Sequence, residues 1–265
     1  MNSQSLLDIK DLSIAYGQNT VVENVTFQVP QGSIVAIVGE SGSGKSTLIR
    51  SVIGLLTASG RIEKGSIFFE DVELTLCSDA QMNAIRGNQI AMIFQDGATY
   101  LDSRKKIGYQ FVETIRSHLD LSKKEARQKA VEILERLHLS DVERIMDTYP
   151  FMLSGGMCQR VAIAMVMVMN PKLLLADEPT SALDVTIQAQ VVRLMEELKN
   201  DYGTTILMVT HNMGLAAYLA DYVVVMKDGR LVEWGPAEAV IDEPQKAYTQ
   251  DLLAAVPELQ VANFG

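Results

Sequence analysis

Five consecutive apolar residues, Ile34-Val35-Ala36-Ile37-Val38, stop at a glycine-rich turn and give way to a helical pattern over 45–55. An uninterrupted apolar run of that length is the pattern of a parallel strand buried on both faces. Short runs rich in β-branched residues predict strands at 7–10 and 25–29, and 66–70 and 90–94 are further strand candidates. From about 107 to 169 the period becomes helical. Ser122-Lys123-Lys124-Glu125 reads as a capping box, and Ala126, Ala130, Ile133, Leu134 and Leu137 then recur at helical spacing. The charged residues between them, Arg127, Lys129, Glu132, Glu135 and Arg136, form a solvated face. Beyond Pro171, strand and helix alternate again. Strands are expected at 173–176 and 204–209, and helices at 185–199, with Asp184 as N-cap, and at 213–220. A hairpin is expected around Lys227-Asp228-Gly229, followed by closing helices at 236–241 and 247–255. The coarse picture is an α/β core carrying a helical insertion.

Composition narrows this. The 265 residues are 48% hydrophobic and 21% charged, so the chain is globular, with one large domain or two small ones. There are 23 Lys plus Arg against 33 Asp plus Glu, a formal charge of -10. General nucleic-acid binding needs a basic footprint and is not expected. Cys77 and Cys158 lie far apart, outside any CxxC or Cys/His cluster, and read as reduced thiols of a cytosolic protein. The opening MNSQSLLDIK lacks the basic and apolar regions of a signal peptide. The greasiest stretches, 161–169 and 173–176, are separated by Asn170-Pro171-Lys172 and fall well short of the roughly 20 residues of a membrane helix. A membrane role therefore runs through a partner.

The turn after the first apolar run is Gly39-Glu40-Ser41-Gly42-Ser43-Gly44-Lys45-Ser46-Thr47, the G-x-x-x-x-G-K-[ST] pattern with a following threonine. Glycines let the backbone curl so that successive N–H groups point at phosphate oxygens, and the helix starting near Lys45 adds its positive end. Lys45 supplies a cation for β- and γ-phosphates, and the Ser46 hydroxyl is a ligand for Mg²⁺. The strand before and the helix after are the context this motif requires. Nucleoside triphosphate binding follows, whereas a dinucleotide fingerprint has different spacing.

A second apolar run ends in Asp177-Glu178-Pro179. Ligands gather at the carboxyl ends of parallel strands. There Asp177 can enter a Mg²⁺ shell, and Glu178 is free to polarise an attacking water. His211 and Gln95 also follow apolar runs, which places both beside the phosphate turn.

Leu153-Ser154-Gly155-Gly156-Met157 resembles the signature motif of ABC-type ATPases, usually written LSGGQ. The rest of that family's set occurs in order: Tyr16 resembles the aromatic that stacks on adenine, Gln95 the Q-loop, Ser181-Ala182-Leu183-Asp184 the D-loop, and His211 the switch histidine. The resemblance spans essentially the whole chain. It implies a P-loop ATPase core with an N-terminal antiparallel β subdomain over about 1–96 and 171–235. A helical subdomain over about 97–170 and a helical tail over 236–265 complete it. It also implies ATP and Mg²⁺ as cofactors. Tyr16 and Gly39, Ser41, Gly42, Ser43, Gly44, Lys45, Ser46 and Thr47 would bind nucleotide. Ser46, Gln95 and Asp177 would organise the metal, with Gln95 also a nucleotide contact, while Glu178 and His211 serve catalysis. Ser154, Gly155 and Gly156, at a helix start, would close on the ATP of a second cassette. The implied assembly is a head-to-tail pair of cassettes, most often two different chains, beneath two membrane permease subunits at the cytoplasmic face. An extracytoplasmic binding protein feeds it.

Tyr149-Pro150-Phe151-Met152-Leu153-Ser154-Gly155-Gly156-Met157-Cys158-Gln159-Arg160 is similar to the YPHxFSGGMRQR of dipeptide, oligopeptide and nickel importers. The tail, Gly235-Pro236 through Pro244-Gln245-Lys246-Ala247-Tyr248-Thr249, resembles their GP…PxHPYT segment. Cys158 stands for the usual Arg, Lys246-Ala247 for His-Pro, and Asn212 for Asp, and the segment after Gln95 departs from DPxxxLNP. Many peptide-importer relatives carry a cysteine-rich extension, and its absence up to Gly265 leans toward the metal or metallophore branch. The expected function is the ATPase of a peptide or nickel importer. A soluble ABC-type ATPase or an exporter cassette is the alternative.

Overall fold

The computed structural model describes residues 4–57, 59–94, 101–180 and 185–255, with the backbone alone at 185–187. Four strands make an antiparallel sheet: β1 (Ser5–Tyr16), β2 (Asn19–Pro30), β4 (Gly60–Phe69) and β5 (Val72–Glu73), in the order β2-β1-β4-β5. Six make the central sheet: β3 (Ile34–Val38), β6 (Ile90–Ile93), β7 (Leu173–Asp177), β8 (Thr205–Val209), β9 (Tyr222–Lys227) and β10 (Arg230–Pro236). Their order is β10-β9-β3-β8-β7-β6, parallel throughout except the β9/β10 hairpin. This α/β architecture agrees with the sequence expectation.

Every residue of β3, β7 and β8 is buried, because the sheet is covered on both faces. Successive side chains alternate between two cores. Val35, Ile37, Leu173, Leu175, Leu207 and Val209 join a core with Phe27, Phe69 and Ile9 of the antiparallel sheet and with Leu48 and Ile49 of helix α1 (Lys45–Val52). Ile34, Ala36, Leu174, Ala176, Ile206 and Met208 join a second core under the helices. These include α3 (Ile107–His118), α4 (Lys123–Arg136), α5 (Val142–Met146), α6 (Gly155–Met167) and α8 (Met213–Leu219). Helices α2 (Asp79–Ile85), α7 (Val185–Asn200), α9 (Ala237–Asp242) and α10 (Ala247–Ala254) complete the described α-helices.

Boundaries differ from the sequence expectation for identifiable reasons. β1 runs well past residue 10, because a left-handed Asp11 (φ 47°) and register shifts between Ile9 and Leu12 break the alternation without ending the strand. Helix α1 stops at Val52. Gly54 is left-handed, and the Gly54 and Leu55 amides donate back to the carbonyls of Ser51 and Arg50, a Schellman termination. The helical stretch over 107–169 is cut by left-handed His138 and Asp141 and by the Tyr149-Pro150 turn. The capping box of α4 forms as expected, with the Glu125 amide donating to Ser122 Oγ and the Ser122 amide to Glu125 Oε2. The predicted N-cap Asp184 lies outside the described residues.

One side chain registers β3 against its neighbours. The Ile34 amide donates to Asp221 Oδ2 at 2.7 Å, the Asp221 amide donates to the Ile34 carbonyl, and Lys199 Nζ donates to Asp221 Oδ1 at 2.6 Å. Asp221→Ala leaves the first amide of the strand without this acceptor. It should cost about 1–2 kcal/mol of stability, read as a fall in melting temperature of a few degrees by calorimetry.

Candidate active site

The parallel strands end on one edge of the sheet. β3 delivers the phosphate turn there, β7 delivers Asp177 and Glu178, and β8 delivers Thr210 and His211. The turn needs its glycines. Gly39 has φ 144°, and a Cβ there would sit 2.1 Å from the Met226 carbonyl oxygen. Gly44 has φ 93°, and its Cβ would meet the Val21 carbonyl oxygen at 2.8 Å. Gly44 is also the N-cap of α1 and supplies no side-chain cap, so the first-turn amides keep their donors for an incoming anion.

Lys45 is buried at the base of this turn. Its Nζ donates to the carbonyls of Gly39 (2.8 Å) and Glu40 (2.6 Å) and to Ser43 Oγ (3.3 Å). Burial pushes the ammonium pKa down, and the nearby Glu178, Asp177 and Glu40 oppose the shift. The ammonium is thus held at the cleft by neutral carbonyls and by three acids at longer range, ready for a multiply charged anion. The cleft measures about 440 Å³ and is lined by Ser41, Gly42, Gly44, Lys45, Ser46 and Thr47 together with Val21, Glu178 and His211.

Ser46 Oγ donates to Asp177 Oδ1 at 2.8 Å. Arg50 reaches the other oxygen through Nε (3.2 Å) and a terminal nitrogen (3.0 Å). The Asp177 side chain is 2% exposed, and a carboxylate so buried requires such partners. The adjacent Ser46 and Asp177 oxygens are the hard donor set that suits Mg²⁺. Arg50 was not anticipated. Its spacing of four from Ser46 on α1 puts both on one face and is the signal that could have found it.

Glu178 has a left-handed backbone (φ 49°), and its amide donates to the Val209 carbonyl at 3.0 Å. His211 Nδ1 lies 3.3 Å from Glu178 Oε2, an ion pair when the imidazole is protonated. The Glu178 carboxylate is largely covered while His211 is open to solvent. Asn212 caps α8 by accepting from the Leu215 amide.

Two of the predicted sites sit apart, and two others lie outside the described residues. Tyr16 closes β1, its ring packed over Gly60, and is not part of the cleft lining. Ser154 is the N-cap of α6 and accepts from the Met157 amide at 3.3 Å; Ser154 and Gly155 are exposed and Gly156 is buried, again outside the cleft lining. Gln95 and Ser181-Ala182-Leu183-Asp184 lie outside the described residues. Cys77 and Cys158 are free thiols, and Cys158 is buried with Sγ 3.2 Å from the Pro150 carbonyl oxygen.

A family model described as ABC transporter matches residues 22–181. The chain is 44% identical over 258 residues, 96% of its length and 80% of the relative's, to the oligopeptide transport ATP-binding protein OppD of Haemophilus influenzae. It is 45% identical over 258 residues, 96% and 79%, to the oligopeptide transport ATP-binding protein AppD of Bacillus subtilis. It is 41% identical over 258 residues, 96% and 78%, to the dipeptide transport ATP-binding protein DppD of Haemophilus influenzae. Among solved structures it is similar to CbiO1 of Clostridium perfringens, part of an ABC transporter complex, with a TM-score of 0.78, 30% identity and coverage of 90% of this chain and 91% of that one. The ATP-binding cassette MJ0796, seen as a dimer bound to ADP and Pi, matches with a TM-score of 0.76, 27% identity and coverage of 87% and 98%.

Gly39→Ala should weaken ATP binding more than tenfold in titration calorimetry. It should also cost about 1–3 kcal/mol of stability, because the new Cβ forces the turn away from the Met226 carbonyl.

Proposed function

This chain belongs to the ABC transporter family and is an ATP hydrolase; we propose that it powers a membrane importer of di- and oligopeptides. The observation that carries the mechanistic part is the convergence, in one cleft, of the phosphate turn, the buried Asp177 and the Glu178–His211 pair. The turn over 39–47 wraps the phosphates with backbone amides, and Lys45 exchanges its carbonyl partners for phosphate oxygens. Ser46 and Asp177 would hold Mg²⁺, and the family resemblance assigns Gln95, outside the described residues, to the same set. The ion would supply charge stabilisation for the phosphates.

Glu178 takes a proton from the attacking water. His211, 3.3 Å from that carboxylate, orients it and meets the γ-phosphate. The transition state of phosphoryl transfer asks mainly for positioning and charge stabilisation, and these groups supply both. Tyr16 stacks on the adenine from the antiparallel sheet.

Ser154, Gly155 and Gly156 contact the ATP of a second cassette. Their place outside this cleft supports that role, and so does the dimeric form of the MJ0796 cassette. The second cassette is taken to be a different chain, with two permease subunits above the pair and an extracytoplasmic binding protein supplying substrate. Among the described residues no helix is long and apolar enough to cross a membrane, which suits a peripheral subunit at the cytoplasmic face. On the same reading the core comprises about 1–96 and 171–235, the helical subdomain 97–170 and the tail 236–265. The peptide names of the relatives favour peptides over nickel as cargo.

Glu178→Gln keeps the size of the side chain and removes the base. ATP binding should persist, while hydrolysis measured by phosphate release falls by two to four orders of magnitude. Turnover near that of the unmodified chain would remove Glu178 from the base position. In cells whose sole copy carries Glu178→Gln, uptake of labelled di- and tripeptides should stop while nickel uptake continues. Loss of nickel uptake alone would move the chain to the metal branch, and loss of neither would point to a cassette outside import.

A further inference from the structure

The tail motif that ends in Tyr248-Thr249 has no part in the chemistry above, yet it touches the phosphate turn. Helix α10 is tied to the sheet at its start. The amides of Gln245 and Lys246 donate to the two carboxylate oxygens of Glu233 on β10, at 2.8 and 3.3 Å. Two residues on, the Glu40 amide donates to the Tyr248 hydroxyl at 3.3 Å. Lys227 Nζ lies 4.4 Å from the centroid of the Tyr248 ring. The next residue, Thr249, is fully buried, which fixes the rotation of the helix about its axis.

The β9/β10 turn meets the phosphate turn from the same side. The Gly229 amide donates to the Ser43 carbonyl at 3.2 Å, and the Met226 carbonyl closes the space over Gly39. The backbone of Glu40 is therefore held on both sides, its N–H by Tyr248 and its carbonyl by Lys45 Nζ at 2.6 Å. Burial raises the pKa of the Tyr248 hydroxyl, so it stays an uncharged phenol at neutral pH.

We propose that Tyr248 is a positioning residue for the phosphate turn: the tail helix, braced by Glu233 and Lys227, holds the Glu40 peptide so that the turn is already curled when ATP arrives. This rests on the reading of 39–47 as the ATP phosphate site. A turn held in its binding conformation loses less entropy when ligand binds, so releasing it weakens affinity. It leaves the reacting groups, Glu178 and His211, where they are. The tail thereby becomes a handle on nucleotide affinity: anything that lifts α10 from the sheet loosens the grip on ATP.

Tyr248→Phe removes the hydroxyl and keeps the ring under Lys227, whereas Tyr248→Ala removes both. Both are tested in the full chain, with Lys45→Ala as control. Titration calorimetry with ATP gives Kd, phosphate release gives KM and kcat, and hydrogen exchange reads the amides over 39–46. Tyr248→Phe should raise Kd and KM about two- to fivefold, the range for one partly exposed hydrogen bond, with kcat within twofold. Exchange at the Glu40 amide should quicken while β3 stays protected. Tyr248→Ala should raise Kd further, through loss of the ring under Lys227. If the Ala variant unfolds, the Phe variant decides.

Unchanged Kd and unchanged Glu40 exchange in Tyr248→Phe would overturn the proposal. So would a fall in kcat at unchanged Kd, or faster exchange spread evenly over the whole sheet. If Lys45→Ala bound ATP as well as the unmodified chain, the phosphate-site reading would fall and this proposal with it. Tight binding lost in Lys45→Ala and unaltered in Tyr248→Phe would remove Tyr248 alone.

Discussion

Two-sided burial of the parallel strands is the constraint on which the rest of the molecule depends. Alternate residues of β3, β7 and β8 enter opposite cores, so none of these strands can slip by one residue without exchanging both sets of contacts at once. That locks the level at which each strand ends. Gly39, Glu178 and His211 follow three neighbouring strands, and their relative heights are set by the ladder pairing Ala176 with Met208 and Ala36 with Met208. The large apolar interior holds this arrangement, and the residues proposed to act on nucleotide ride on its edge.

At that edge the electrostatics are handled by pairing rather than by exposure. Asp177 is nearly inaccessible, and its two oxygens are divided between Ser46 and Arg50. Lys45 is likewise covered and satisfied by backbone carbonyls. Opposite charges therefore lie close together without a direct salt bridge between Lys45 and Asp177 among the described residues. Such a bridge would have to be broken before a phosphate group could reach Lys45. The carbonyl and hydroxyl partners of Lys45 are weaker competitors, displaced at smaller cost, whereas Asp177 is held by Arg50 in a salt bridge at 3.0 Å.

Much of this was legible in the chain. Long apolar runs announced the central strands because two-sided burial leaves no polar alternation to blur them, as at 34–38 and 173–176. The phosphate turn was legible because its glycines answer to geometry that other residues cannot adopt. Less was visible where tertiary contacts override local pattern. β1 continues through a polar, left-handed Asp11 that reads locally as a break. The local sequence around Arg50 carries no sign of Asp177, 127 positions away, which lies against it. The link from Tyr248 to Glu40 spans 208 positions and joins two segments whose local sequences carry no sign of each other. The separation of the signature residues from the cleft was expected from the family resemblance and not from spacing, which carries no information about which face of the molecule a helix start will occupy.

Glu178 stands in the left-handed region, which costs an ordinary L-residue roughly 1–2 kcal/mol and glycine almost nothing. Asparagine, too, tolerates that conformation better than glutamate. With Glu178 as the base proposed above, the position sets durability and turnover at odds. A library selected only for resistance to heat would drift at 178 toward residues that relax the backbone, and each such gain would discard the carboxylate that faces His211. Thermal selection on this scaffold would enrich well-folded proteins that bind nucleotide and do nothing with it, unless turnover is scored in the same round.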